Sequence, residues 1–558
     1  MNRTCLCLAG VAFAASALTL SAAAVAAPVS TQAGSPALLS IFKKFRAIAS
    51  PTFVEGSPDY SDAGMAARHA ALKSMLARME MIDDTKSSPS DRIDFMLILA
   101  EMRGLDFQHR VLKPWKRDPA FYSTTDLGFG PKIAGAMEIP KLPLSPDNVA
   151  ALGRKLRAVP AILAQAKRNL TEARGDLARL GVGQKNVEIN VYDKLARDAA
   201  GAHRELVPLA FAARDATVRF REWLEETAPK LPPHGGIGRA NYDWYMRYVL
   251  LFPYDTDSMQ LIAQREYERS MTFLKLEEHK NRAVLMIEPA ETLKEFERRR
   301  AAADAKLLDY FRRNDVMTIP DYLKPEVGEG PYVQPAERDP KVPGPFEQPI
   351  KRHFFRETED REPTPLRAHN VPGHLFDQLQ LERDARPIRG AKRLFFIDGT
   401  RAEGWSFYLE EMIQQIGLMD DSPKGREINY ILQVKRAARV LPELMLHANR
   451  WTYDEARASL TSRTPYWMKP DDLIAKTDLE LYLRQPGYGI GYYIGKVQLE
   501  ALLAEVAQAE GREFNLKRFH DRFRAAGMIP ISLIRYEMTG RDDQIMAMRQ
   551  VSPLRAAQ

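Results

Sequence analysis

The sequence predicts a mainly α protein, and three observations predict it. Apolar residues recur at three- and four-residue intervals over most of the chain, Ser-Pro pairs mark helix starts, and no stretch sustains the strict alternation of a half-buried strand. At 558 residues with 45% hydrophobic and 27% charged side chains, the chain is long enough to bury a large core and has the composition of an ordinary globular protein.

Residues 1–27 carry a basic start (Arg3), an apolar run from Leu8 to Leu20 and the small residues Ala24-Val25-Ala26, the pattern of a secretory signal peptide. Residues 28–58 are Ser, Pro and Gly rich and then weakly amphipathic, a lead-in segment. The rest is expected to form a single helical domain over 59–545, followed by a tail at 546–558. From Asp62 to Arg103 the apolar spacing gives two helices broken near Ser87-Ser88-Pro89-Ser90. Ser145-Pro146-Asp147 caps a further helix expected to run to about Leu180 with a kink at Pro160. Another is expected from Asn186 to Leu231, and more helical repeats from Asn241 to Arg300. Glu291 to Arg313 is densely charged and predicted as a solvated helix face. Ten prolines between 320 and 365 exclude a continuous helix, so this insertion is expected to be a loop or small β element bordering the site. Helices are then predicted over 426–449, 454–462, 471–482, 489–511 and 516–526.

The formal charge of +7 becomes +6 once Arg3 leaves with the signal peptide. Basic residues are scattered among acidic ones with no aromatic-interleaved stripe, which gives nucleic-acid binding no support. Both cysteines, Cys5 and Cys7, lie within the signal segment, and neither follows the small-residue pattern of a lipoprotein acylation site. The mature chain therefore has no disulfide, no thiolate ligand and no cysteine nucleophile. No later run approaches the ~20 apolar residues of a membrane helix, so a periplasmic or secreted protein without an integral membrane segment is expected.

The chemistry concentrates between Leu366 and Asp421. His369 and His374 are followed by Glu403 and Glu410, and imidazole nitrogens with carboxylate oxygens are the donors a zinc site uses. On a continuous α-helix residues five apart diverge by about 140°, and Pro372-Gly373 argues for a turn that folds His369 in. Glu403 and Glu410, seven apart, share a helix face, one as ligand and the other as its partner or as proton acceptor. Thr400 to Glu403 also fits a capping box, Glu410 a solvated charge, and His374 a core histidine. Gln485 to Tyr493 is a glycine- and tyrosine-rich helix entry. Its amides can pair with an extended peptide, and a hydroxyl such as that of Tyr493 can donate to a developing oxyanion. His447 and His520 are expected to be structural.

Pro372-Gly373-His374, Glu403-Gly404-Trp405 with Tyr408 and Glu410, Leu446-His447, Arg484-Gln485-Pro486-Gly487 with Tyr492, Tyr493 and Gly495, and Phe519-His520-Asp521 together resemble the bacterial domain-of-unknown-function 885 family. The resemblance covers most of the mature chain. It implies a zincin-like body with a deep cleft and zinc as cofactor on His369, His374 and Glu403. It also implies a peptide or small amide substrate, with Glu410 and Tyr493 as catalytic groups and Arg484 and Tyr492 as substrate-binding groups. Family members commonly carry His-Glu-x-x-Pro-Gly-His. Without a gap, Ala368 stands at the first histidine and His369 at the glutamate; shifted by one residue, His369 stands at the histidine and Asn370 at the glutamate, and either way the usual acid/base carboxylate is absent from its place. Three functions follow: an exported zinc-dependent hydrolase of peptide or related amide bonds, an inactive relative that binds peptides, and a metal-free glycan hydrolase using the paired carboxylates.

Overall fold

The computed structural model describes residues 35–549 except 55, 128–129, 326–353, 465–466 and 470–472. The expected signal peptide, the greater part of the Pro-rich insertion and the end of the expected tail lie outside the described residues. The protein is mainly α, and the single sheet among these residues is a ribbon of Phe53–Val54 against Ser57–Pro58. The expected lead-in contains a helix, Pro36–Ile48, because Leu38, Phe42 and Phe45 fall on one face and all three are buried.

Asp62–Glu80 and Pro89–Phe107 follow as expected, each started by a serine whose side chain accepts from a first-turn amide. The long helices expected next are divided differently. Pro146–Asn169 accommodates Pro160 but ends short of 180, and the remainder forms Gly175–Ala202 and Val207–Thr227. The chain leaves the helix at Leu170 (φ −75°, ψ 57°) and at His203 (φ −140°, ψ 61°), where the His203 ring accepts from the Leu144 amide. Leucine and histidine carry no breaker signal, so the periodicity runs straight through both turns. These three helices pack on one another around an alanine- and leucine-rich core.

Arg239–Tyr248, Thr256–Lys280 and Leu293–Arg313 come next. The last is solvated on one face only. Its other face buries Phe296, Leu307 and Phe311, and Asp304 grips Arg367 through two bonds of 2.6 and 2.7 Å. Past the insertion, short helical turns lead into a continuous run over 364–381, the histidine segment.

Four elements then surround the middle of the molecule: the glutamate helix Gly399–Gln415, the arginine helix Pro423–Ala438, the short Val440–His447, and the tyrosine helix Tyr488–Glu510. The break at Arg439 divides what was expected as one helix over 426–449. Two helices beyond the last one predicted, Ile531–Thr539 and Asp543–Arg549, close the fold, with Leu533, Ile534, Ile545 and Met548 in the core.

The glutamate helix is buried on all sides, charged residues included. Burying a charge costs several kcal/mol unless it is paired, and Arg401, Glu410 and Glu411 each have an opposite charge beside them. Arg401 donates to Asp377 at 2.7 and 3.0 Å, and Glu411 meets Lys496 and Arg269 at 2.7 and 2.8 Å. The helix crosses the tyrosine helix at Gly404 and Gly495. A Cβ on Gly404 would lie 2.5 Å from the Gly495 backbone, so the two main chains touch where only glycine fits.

Candidate metal centre

The histidines stand on a π-helical stretch, His369–Leu375, continuous with α-helix on both sides. This corrects the expected turn. A π turn bonds residue i to i+5, so residues five apart stand one above the other, and Pro372 sits inside it. The indole of Trp405 donates to the Pro372 carbonyl at 3.2 Å, and Gly373 lies directly on Ser406, which fixes the segment against the glutamate helix.

His369, His374 and Glu403 converge, each offering one ligand atom within 4.8 Å of the others. Glu403 Oε2 lies 3.6 Å from His369 Nε2 and 3.4 Å from His374 Nε2. Its other oxygen, Oε1, accepts from the Tyr488 hydroxyl at 2.9 Å. Burial would raise the Glu403 carboxyl, but the two facing imidazoles outweigh it and hold the group well below the usual carboxylate range. The same balance works in reverse on His374, where burial lowers and Glu403 raises, with a net rise. The capping-box alternative is absent: Asp398 is the N-cap and makes no side-chain cap, and Thr400 lies inside the helix.

Glu410 sits behind His369 rather than beside Glu403. Its Oε1 lies 2.8 Å from His369 Nδ1 and also pairs with Arg436. The Glu410 side chain is fully buried, and Arg436 and His369 keep it ionised against the pull of burial. Nδ1 lies close to this carboxylate but without the in-line geometry of a hydrogen bond, while Nε2 faces Glu403. The two carboxylates thus meet opposite nitrogens of one imidazole. His369 fills the space a glycosidic bond between a carboxylate pair would need, which removes the support for a glycan hydrolase.

Of the other expected residues, Tyr492 lies at the centre, its ring stacked on His369 at 6.1 Å and 12°. Tyr493 points away: its hydroxyl is 2.8 Å from Ser270 Oγ and its ring packs on Phe407. Arg484 is also elsewhere, with Nε on Asp118 at 2.7 Å. The amides of the glycine-rich entry are not open to a peptide, because buried Glu443 takes those of Gly487 and Ile490 at 2.6 and 3.0 Å, together with the Tyr242 hydroxyl. Burial pushes Glu443 up to about 7. This carboxylate at the helix start sets the phase of the tyrosine helix, so that Tyr488 and Tyr492, four apart, both face the centre. Tyr488, Arg436 and Arg439 are the residues that sequence reasoning missed; the i, i+4 tyrosines and i, i+3 arginines were the available signals. His447 and His520 are buried, with His447 Nε2 2.9 Å from the Tyr482 carbonyl and His520 Nδ1 2.7 Å from that of Val316.

The profile described as "Bacterial protein of unknown function (DUF885)" matches residues 54–538. The chain belongs to this family. Two solved structures share its fold. One, a proposed lipoprotein of unknown function from Shewanella oneidensis, is 17% identical with a TM-score of 0.66, covering 90% of this chain and 97% of its own. The other, a proposed lipoprotein from Colwellia psychrerythraea, is 16% identical with a TM-score of 0.66, covering 90% and 98%. No curated protein matches. No helix among the described residues is long and apolar enough to cross a membrane.

The donor set fits a zinc ion. Two neutral imidazoles and a carboxylate are among the ligand combinations zinc uses. Glu403 Oε2 is buried without a hydrogen-bond donor, an expensive state for a carboxylate oxygen that a cation at this point would relieve.

Proposed function

We propose that this DUF885 protein is an exported, zinc-dependent hydrolase of peptide or related amide bonds, with a zincin-like body. The observation that carries the proposal is the convergence of His369 Nε2, His374 Nε2 and the unpartnered Glu403 Oε2. Bound zinc supplies a coordinated water of lowered pKa and polarises a carbonyl. Glu410 lies beside His369 as a neighbouring negative charge, and Tyr488 holds Glu403 so that Oε2 faces the histidines. Access from the His374 side is supported by exposure, that side chain being 36% exposed against 8% for His369 and 6% for Glu403. The lipoprotein descriptions of the two similar structures support an extracytoplasmic location, periplasmic or secreted.

A second reading has its own observation. Glu403 and Glu410 are both committed, the one to the ligand set and the other to His369 and Arg436, and neither is free to take a proton from water. This favours a relative that binds the same ligands without cutting them.

Elemental mass spectrometry on protein purified without chelator is expected to give about one zinc per chain, lost in both His374→Ala and Glu403→Ala. Absence of metal after zinc is supplied overturns the proposal. Zinc without cleavage of a pooled peptide library selects the second reading.

A further inference from the structure

Beside the centre, three cations are buried: Lys435 and Arg436 at the end of the arginine helix and Arg439 at the break that follows it. Two of them have a carboxylate of their own. Arg436 pairs with Glu410, and Lys435 with Asp478. Arg439 reaches Asp478 only through Nη1, at 3.4 Å, on an oxygen that Lys435 already holds. Its Nε and Nη2 are both buried, and no acceptor among the described residues bonds either.

The pairing of those two atoms is what matters. A single unpartnered Nε occurs on several buried arginines, Arg103, Arg401 and Arg524 among them, and carries no message. Arg439 is the one arginine among the described residues with two such nitrogens. Nε and Nη2 form one edge of the guanidinium, and elsewhere in this molecule that edge grips carboxylates. Arg46 holds Glu101 with it at 2.8 and 2.7 Å, and Arg367 holds Asp304 at 2.6 and 2.7 Å. The spacing of the two N–H groups matches the two oxygens of a carboxylate, and such bidentate pairs are the strong, geometrically selective ones. Leaving the edge buried and unpaired is costly, and more so for a charged group.

Position ties the edge to the centre. The guanidinium carbon lies 3.7 Å from the centroid of Tyr492, and that ring stacks on His369. Charge points the same way. Within this group Lys435, Arg436 and Arg439 balance Asp478, Glu410 and Glu403, so a divalent cation on His369, His374 and Glu403 leaves a net positive charge for an anionic ligand to meet.

We infer that Arg439 binds a carboxylate of the molecule presented to His369, His374 and Glu403, and that the substrate class is therefore peptides or amides bearing a free carboxylate near the reacting bond. This rests on the metal-centre reading for what happens at the bond, but the carboxylate contact is measurable without it.

The test uses a pooled dipeptide library with free C-terminal carboxylates and the same pool as C-terminal amides. Retention on the protein is scored by mass spectrometry, with and without zinc. The free-acid pool is expected to be retained at least about tenfold better. Arg439→Gln should bring it down to the amide level, and Arg439→Lys, which keeps the charge but loses the fork, should fall between. Both variants must keep the wild-type zinc stoichiometry and circular dichroism; if Arg439→Gln does not, Arg439→Lys carries the comparison. Equal retention of the two pools, or a free-acid preference that survives in Arg439→Lys undiminished, overturns the inference. Loss of zinc binding in the wild type with the preference intact would sink the hydrolase reading and leave this one standing.

Discussion

The helices Pro146–Asn169, Gly175–Ala202 and Val207–Thr227 and the group formed by the histidine segment, the glutamate helix and the tyrosine helix use the same secondary structure to opposite ends. The first group buries one stripe per helix, largely alanine and leucine, and its fully buried ion pair is Lys185 with Glu188 at 2.8 Å. The second buries Arg401, Asp377, Glu403, Glu410, Glu411 and Lys496 in one place. Amphipathic packing stabilises the first group with little dependence on any single contact. The second depends on each polar partner being present, since removing one leaves a charge stranded.

The largest effect expected on this contrast is at the helix crossing. Gly404→Ala puts a methyl 2.5 Å from the Gly495 backbone and should cost about 4 kcal/mol or more in urea unfolding. A cost under 1 kcal/mol would show that the two helices can part freely. Asp377→Ala should come next, at about 3–4 kcal/mol, because it strands buried Arg401; thermal melts of this variant and of the Asp377→Ala/Arg401→Met double variant would show partial recovery in the latter.

Acid should act through His447 and His520. Burial lowers both imidazoles from 6.5 to about 4. A depressed folded pKa means the folded state resists protonation, so the stability from these groups is full above about pH 6.5 and is lost as pH falls toward 4. Each should account for about 2 kcal/mol of loss by pH 5, and His520→Gln should flatten the pH 8 to pH 5 difference by about that much. The smallest effect, and of opposite sign, belongs to the first group. Gly183 in Gly175–Ala202 has open space around its would-be Cβ, so Gly183→Ala should stabilise by about 0.4–1 kcal/mol.

The same contrast explains what the sequence could reveal. One-faced helices announce themselves by period, and the errors there, at Leu170 and His203, fall where a turn is made without glycine or proline. The glutamate helix, buried all round, has no stripe to detect, and its residues were found by chemistry: His369, His374 and Glu403 are of ligand type. Tyr488, Arg436 and Arg439 were not found, because their partners lie on other helices and a local pattern does not say which way a side chain turns. Tyr493 and Arg484 mislead for that reason, each in a suggestive motif and each facing elsewhere.

The π stretch under the histidines has a consequence for the spacing of two ligands along one helix. One residue inserted between two ligands of an α-helix turns the second by about 100° and destroys the pair. The wider π turn takes up the added residue in its own circumference and returns the second histidine to the same face. The π turn therefore keeps His369 and His374 on one face at a spacing that an α-helix would not allow.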